Sequence, residues 1–595
     1  MTWVLIAIVA YFFMAANFVF DKIVLRRFIV APIVYAIYVG LSGVYGILFI
    51  PFGFSLVGFS EKPWWVLPLA LFSGATFILS LIPLYKAIQK HEVSRVAPFI
   101  GLLTALFVLA LTAVFSVEYL DVFELFIFAI LISGALLVSR PKFTFLGVLS
   151  ALFFAISFVS IKAVYQNTSF INGFILARFG EFIFALILFL LPAGRRAVKE
   201  SWKQTRVTRL GFVAFVKIFA GLGFIIQNYA IFLGSVALVH ALSGVQYVFV
   251  WFIVFIVHAL TKKLEPEQFS WATIIVVIGF MMLALSQRPT DLAPGVKAYG
   301  VTFSKSWAEQ LGLDWKSAYL AALNDLGVKK LRLPVYWNEI ERQEGMYDFS
   351  NLDWQIREAN NKGAEIILVI GRRVPRWPEC HTPEWAQNLE SGNQNLKLLE
   401  YIETVVRRYK NEQSITSWQV ENEPFFKHFG ICPDPDPELL DQEISLVKSL
   451  DNRPIIITDS GEFGGWARAA RRADIFGTTM YGVVYRNEPP RFYAHYPRMP
   501  SLFHFKANLA VASGGTKNLI VSELQAEPWG PGMIYELSPE EQKKSMNLDQ
   551  LKSNLRLARE VGFREVYLWG VEWWFAEKLE GRPEFWDETR KLFLN

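Results

Sequence analysis

Apolar positions along the chain fall into two regimes. From residue 1 to about 288 they form long runs with few charges, each long enough to cross a bilayer as a helix. About ten are expected, near 2–20, 30–52, 64–85, 96–116, 121–139, 144–165, 171–192, 210–232, 236–259 and 269–286. Ten such runs in succession have no counterpart among the buried helices of a soluble protein of this size. From about Arg288 onward the runs are short and alternate with amphipathic stretches such as "SAYLAALNDLG" and "NLRLAREVG". Strands are expected at 297–303, 329–335, 365–371, 414–420, 454–458, 475–481, 518–524 and 565–571. Eight strands alternating with helices over about 300 residues predict a (β/α)8 TIM barrel. The expected organisation is therefore an all-α polytopic membrane domain over 1–288 and an α/β barrel over 289–595.

Composition agrees with that split. Hydrophobic residues make up 53% of the chain and charged ones 19%, too apolar for a soluble protein of ordinary composition. The formal net charge of +5 is small for 595 residues. With no basic face or nucleic-acid motif in view, a nucleic-acid partner is not expected. No cleavable signal peptide is evident, since the first apolar run lacks a basic segment before it and further spans follow. The two cysteines, Cys380 and Cys432, have no metal-like spacing, and no cofactor or metal is expected.

Loop charges give the orientation. Lys22, Arg26 and Arg27 follow the first span, and Lys86, Lys90 and Arg95 the third. Arg140 and Lys142, the basic run from Arg195 to Arg209, and Lys262 and Lys263 follow on the same side. The other side offers little more than Lys62, Lys162 and Arg288. The positive side is cytoplasmic by this rule, so the N-terminus and the barrel are expected on the extracytoplasmic side of the cell (inner) membrane.

The membrane half also repeats itself. "FFMAANFVFDKIV" at 12–24 aligns with "LFFAISFVSIKAV" at 152–164, and 86–101 echoes 229–244. Five spans per copy is an odd number, so the copies insert in opposite senses, an inverted 5+5 repeat of the kind found in transporters. Over about 280 residues this half resembles the EamA-like drug/metabolite transporter superfamily in span count, repeat and loop style. Intramembrane ionisable residues mark candidate transport positions: Arg178 and Glu181, one helical turn apart, with Lys217 and His240. Arg178 and Glu181 either neutralise each other or line a polar cavity for a small-molecule solute or headgroup.

In the barrel half, "WQVENEPFF" (418–426) places Glu423 just past the fourth expected strand, and "IVSELQAEPW" places Glu523 at the end of the seventh. Strands four and seven lie across the barrel mouth from each other, so these carboxylates can converge. Glycosidic bond cleavage needs such a pair, one a proton donor and the other a nucleophile or stabiliser of the oxocarbenium-like centre. Here residues 295–595 resemble the retaining TIM-barrel glycoside hydrolases of clan A. The resemblance implies Glu423 as acid/base, Glu523 as nucleophile and a carbohydrate substrate. It implies Asn422 at the sugar 2-hydroxyl, Arg332 and Tyr481 beside the nucleophile, and Trp569 as the sugar floor. Glu421 and Glu527 flank the two candidates, which leaves the assignment open by a few residues.

Thirteen of the 19 tryptophans fall in this half, several near strand ends, where flat aromatic faces can stack on sugars or serve as core. Cys380 and Cys432 follow strands three and four, neighbouring loops in an oxidising compartment. They are expected as a disulfide, with two unpaired thiols as the alternative. The combined expectation is a membrane-anchored retaining glycoside hydrolase fused to a transporter-like domain. Its rivals are a transporter with a catalytically inactive glycan-binding barrel, and a lipid-linked sugar handler.

Overall fold

The computed structural model describes residues 2–27, 31–55, 62–91, 93–139, 143–204, 207–246, 248–249, 252, 271–289, 292 and 295–594. The chain divides into two compact units, Met1–Ala284 and Leu285–Asn595.

The first unit is helical. Five described helices are long and apolar enough to cross a membrane: Pro32–Phe52, Val66–Lys90, Val96–Val114, Phe145–Tyr165 and Phe170–Leu190. Shorter apolar helices occur at Trp3–Asn17, Val122–Val138, Ala220–Leu233 and Thr273–Leu285. Five spans therefore meet the length and apolarity of a crossing helix where ten were expected. The expected run 236–259 shows why the two differ: it is helical over Val236–Ala241, passes into a tighter turn at Leu242–Gly244, and then lies mostly outside the described residues. A helix at Pro192–Gln204, too polar to span, carries much of the basic run after the seventh expected span.

Where these helices cross, small residues let backbones meet closely. A Cβ on Gly74 would lie 2.0 Å from the Ala177 carbonyl oxygen, and one on Gly180 would lie 2.2 Å from that of Leu71. Ser73 and Ser157 each donate to the other's backbone carbonyl, at 3.0 and 2.8 Å.

The second unit is a closed barrel of eight parallel strands. They are β1 (Ala298–Thr302), β2 (Lys330–Pro334), β3 (Glu365–Ile370), β4 (Ile415–Val420), β5 (Ile455–Asp459), β6 (Ile475–Met480), β9 (Leu519–Gln525) and β10 (Glu565–Trp569). Each expected strand is found within one or two residues of its place. The antiparallel hairpin of β7 (Val483–Arg486) and β8 (Phe492–His495), between the sixth and seventh barrel strands, was not expected. Gln525 ties the hairpin base to the end of β9, its Oε1 accepting from the Gly482 and Val483 amides at 2.8 and 3.0 Å.

Side chains alternate along a strand, so residues two apart share a face. Ile367, Ile456, Ile520 and Tyr567 form one apolar cluster. Two residues further along β5 and β9 come Thr458 and Ser522, both fully buried. The lining thus turns from apolar to polar towards the carboxyl ends of the strands, where active sites of such barrels lie.

Candidate active site

Arg332, at the middle of β2, is wholly buried. Its guanidinium meets five partners: Nη1 donates to Glu523 Oε1 at 3.0 Å, to Thr302 Oγ1 at 3.3 Å and to the Ser522 carbonyl at 3.5 Å, Nη2 to Asn422 Oδ1 at 2.7 Å, and Nε to Gln419 Oε1 at 2.8 Å. Tyr481, just past β6, donates its hydroxyl to the other oxygen of Glu523 at 2.9 Å. Glu523 is therefore fixed from both sides.

Glu423 has no such support. Its amide donates to Thr458 Oγ1 at 2.8 Å, but among the described residues its carboxyl forms no ion pair. Burial, then the nearby charges of Glu523 and Glu379, hold that carboxyl well above the ordinary range. Its backbone is left-handed, with φ of 46°, and so is that of Glu421, at 59°. Two non-glycine residues so close together in that region are uncommon outside functional sites.

The two flanking acids are occupied elsewhere. Glu421 accepts from the Arg372 and Arg373 amides at 2.7 Å each, next to the buried Glu443. Glu527 pairs with Arg376 and accepts from Trp307 Nε1 at 3.3 Å. The structure thus separates Glu423 and Glu523 from their neighbours. Strand spacing alone could not do so, because it does not say which acid accepts from backbone and which faces a cation.

Trp569 ends β10, and the Arg376 guanidinium stacks 4.1 Å from its ring centre. Arg376 also donates to Glu572 Oε2 at 3.0 Å. At the rim, Trp377 and Phe463 are exposed, and Phe429 packs between Trp377 and Trp529.

Glu379 was not anticipated. It lies in the loop after β3, is 3% exposed, and accepts from Asn422 Nδ2 at 3.1 Å. Burial raises its carboxyl to about 7, with Glu523 adding to the rise and Arg373 opposing it. Its one signal in the sequence is the neighbouring Cys380, which bonds to Cys432 with a Cα–Cα distance of 5.3 Å. That bond joins the loops after β3 and β4, and so the segments carrying Glu379 and Glu423.

In the helical unit Arg178 and Glu181 pair within Phe170–Leu190, and both are buried. Arg178 lies over Phe224 at 4.2 Å, and His240 lies against Phe158 at 4.2 Å, its Nε2 without a hydrogen-bond partner among the described residues. Phe77 contacts both Phe224 and Phe158, linking the two polar positions through aromatic rings. The Lys217 side chain lies outside the described residues.

Known proteins share features of the barrel half. Residues 334–431, from the end of β2 to the loop after β4, match the profile of Glycosyl hydrolase family 10, and Asn422-Glu423-Pro424 falls inside that stretch. Beta-galactosidase BgaA of Clostridium cellulovorans is 26% identical over 211 residues, covering 32% of this chain and 31% of that protein. The chain thus spans about a third of the length of that curated relative. Among solved structures, a beta-galactosidase from Halorubrum lacusprofundi aligns over 46% of this chain and 52% of its own, at 14% identity and a TM-score of 0.31. Endo-glycoceramidase II from Rhodococcus sp. aligns over 47% and 75%, at 13% identity and a TM-score of 0.33. The family match and the curated relative support a barrel of the glycoside hydrolase class.

Proposed function

We propose that residues 289–595 form a retaining glycoside hydrolase with Glu523 as nucleophile and Glu423 as acid/base. The observation that carries this reading is the contrast between the two acids. Glu523 is fixed by an ion pair to Arg332 and a hydrogen bond from Tyr481, while Glu423 is buried, forms no ion pair among the described residues and is inclined to keep its proton. In the first step a Glu523 oxygen attacks the anomeric carbon as Glu423 protonates the leaving oxygen. In the second, Glu423 takes a proton from water, which displaces the enzyme ester. Asn422 gives one amide hydrogen to Glu379, and its second remains for the sugar 2-hydroxyl. Trp569 and the rim aromatics offer ring surface to sugar faces.

The helical unit would anchor this enzyme as an EamA-like domain with an inverted repeat. Within its second copy, Lys162 of 152–164 donates to the carbonyls of Ile231 and Gly234 of 229–244, at 2.9 and 2.6 Å. Arg178, Glu181, Lys217 and His240 are its candidate solute positions. The loop charges favour an extracytoplasmic barrel acting on glycans outside the inner membrane.

The test is a panel of aryl glycosides with the full chain beside Glu423→Gln. Turnover of unactivated glycosides should fall roughly 100- to 10,000-fold, while substrates with good leaving groups are still attacked. Equal rates in both proteins would reject Glu423 as the acid. Protease added to intact spheroplasts should release a fragment beginning near residue 290. Protection of that fragment would reverse the orientation.

A further inference from the structure

The amino ends of the barrel strands hold a second feature, at the opposite end from Glu423 and Glu523. A cavity of about 760 Å³ opens there beside β1 and β2. Its lining includes Lys297, Lys330, Lys552, Arg556, Arg559 and Lys591, with Glu588 the one acid among them. An adjoining cavity of about 460 Å³ shares Tyr299, Arg556 and Arg559 with it and ends at Arg288. Residue by residue the chain shows no basic face, because these cations come from the segment before β1, the start of β2, the last long helix and the C-terminus. Only barrel closure gathers them.

The charges are incompletely neutralised. Lys330 is paired with Glu365 and Glu565, and Lys591 with Glu588. Arg559 donates to the Tyr299 hydroxyl at 3.2 Å. Among the described residues Lys297, Lys552 and Arg556 form no ion pair. Lys552, Arg556 and Arg559 also follow one another at helical spacings of four and three on Leu548–Val561. Like charges so placed repel along a helix face, a cost that a bound anion removes. The lining is not wholly polar: Tyr299, Leu592 and Phe593 contribute to it.

The route of the chain favours one source of anion. The apolar helix ends at Leu285 and β1 begins at Ala298. The dozen residues between them can span at most about 40 Å fully extended. Part of that length is already committed on the barrel, where Asn508 Nδ2 donates to the Gln287 carbonyl at 2.7 Å and Arg288 to that of Glu560 at 2.5 Å. The segment that follows the apolar helix thus runs beside the basic cleft, with Arg288 in the lining of its adjoining cavity.

We propose that this cleft binds the phosphate headgroup of an anionic membrane lipid. Clustered Lys and Arg beside a membrane segment attract anionic lipid, and aromatic and aliphatic neighbours suit a ligand that is polar at one end only. The site is independent of the chemistry at the other mouth of the barrel.

The test uses the full chain in detergent, with phosphatidylglycerol and phosphatidylcholine offered together and bound lipid counted by native mass spectrometry. The comparison is Lys552→Glu/Arg556→Glu; both positions are exposed, so the fold should be retained, and its melting temperature serves as the control. The wild type should hold at least one phosphatidylglycerol that the variant binds roughly tenfold more weakly, with no difference for phosphatidylcholine. Equal phosphatidylglycerol occupancy in the two proteins would overturn the proposal. So would displacement of that lipid by millimolar inorganic phosphate, or by a single-stranded oligonucleotide at equal concentration, since either would make the cleft a general anion site.

Discussion

Arg332 and Glu523 form an ion pair inside the barrel, Nη1 to Oε1 at 3.0 Å, with the arginine wholly enclosed. The same guanidinium also holds Asn422 and Gln419, so one side chain sets both the proposed nucleophile and the proposed sugar-binding amide. Removing one member of a buried pair strands the other. Arg332→Ala should cost about 3–5 kcal/mol in denaturant unfolding and abolish turnover. Tyr481→Phe removes one hydrogen bond and leaves the ion pair. It should cost about 1.5–3 kcal/mol of stability, less than Arg332→Ala, and lower kcat by about 10- to 100-fold, the same free energy read as a rate. A Tyr481→Phe enzyme with unaltered kcat would show that Arg332 alone orients Glu523.

Glu379 gives a pH test of the proposed acid. Burial raises the Glu423 carboxyl first, and the charges of Glu523 and Glu379 raise it further. Glu379 titrates near 7, so its charge grows as pH rises through neutrality and opposes loss of the Glu423 proton. Glu379→Gln removes that opposition. The alkaline limb of the kcat/KM profile should then move to lower pH. An alkaline limb that stays in place would remove Glu379 from the acid's environment.

Glu443 supplies a stability test. It is 1% exposed, its Oε2 has no hydrogen-bond partner among the described residues, and burial followed by the neighbouring Glu421 holds its carboxyl well above the usual range. The folded chain therefore binds more protons here than the unfolded one. That contribution is complete below the unfolded value, about 4.3, and is lost as pH rises through the folded one. Glu443→Gln should make the barrel more stable than wild type at pH 8, on the order of 1–3 kcal/mol, and about equally stable at pH 4. Melting curves at both values decide it; a variant less stable at pH 8 would show that the charged form is the one the site accommodates.

The Cys380–Cys432 bridge closes a loop of 52 residues. Loop-closure entropy then places its contribution at about 4 kcal/mol at most. Cys380→Ser/Cys432→Ser should unfold at lower denaturant. It should also lose activity beyond what stability explains, because the Glu379 and Glu423 loops are no longer joined. Activity kept at full level under native conditions would confine the bridge to a stabilising role.

Much of the barrel could be read from alternation alone, since each parallel strand is a short apolar run bounded by turn residues. The strand-end positions of Glu423 and Glu523 were legible for the same reason, since a strand end is visible in sequence. Glu379, Arg376 and Glu572 were not, because nothing near them in sequence says which distant group they meet. Glu379 matters through Asn422, 43 positions away, and Arg376 through Glu572, 196 away. The β7–β8 hairpin escaped notice because its strands are only four residues each and carry mixed polarity. The basic cleft escaped because its cations are scattered from Arg288 to Lys591.

The left-handed backbone at Glu423 has an evolutionary consequence. Glycine adopts φ of 46° freely, whereas a side chain there strains the main chain by about 1 kcal/mol or more. A buried carboxyl that forms no ion pair among the described residues adds to that burden. The fold would therefore gain by losing this side chain, and a barrel kept only to hold glycans would be free to drift to glycine or asparagine at 423. Mutational sampling that scores folding alone should enrich those two residues at this position, and sampling that scores hydrolysis should keep glutamate. If Glu423 is the proposed acid, its presence records selection for chemistry over ease of folding.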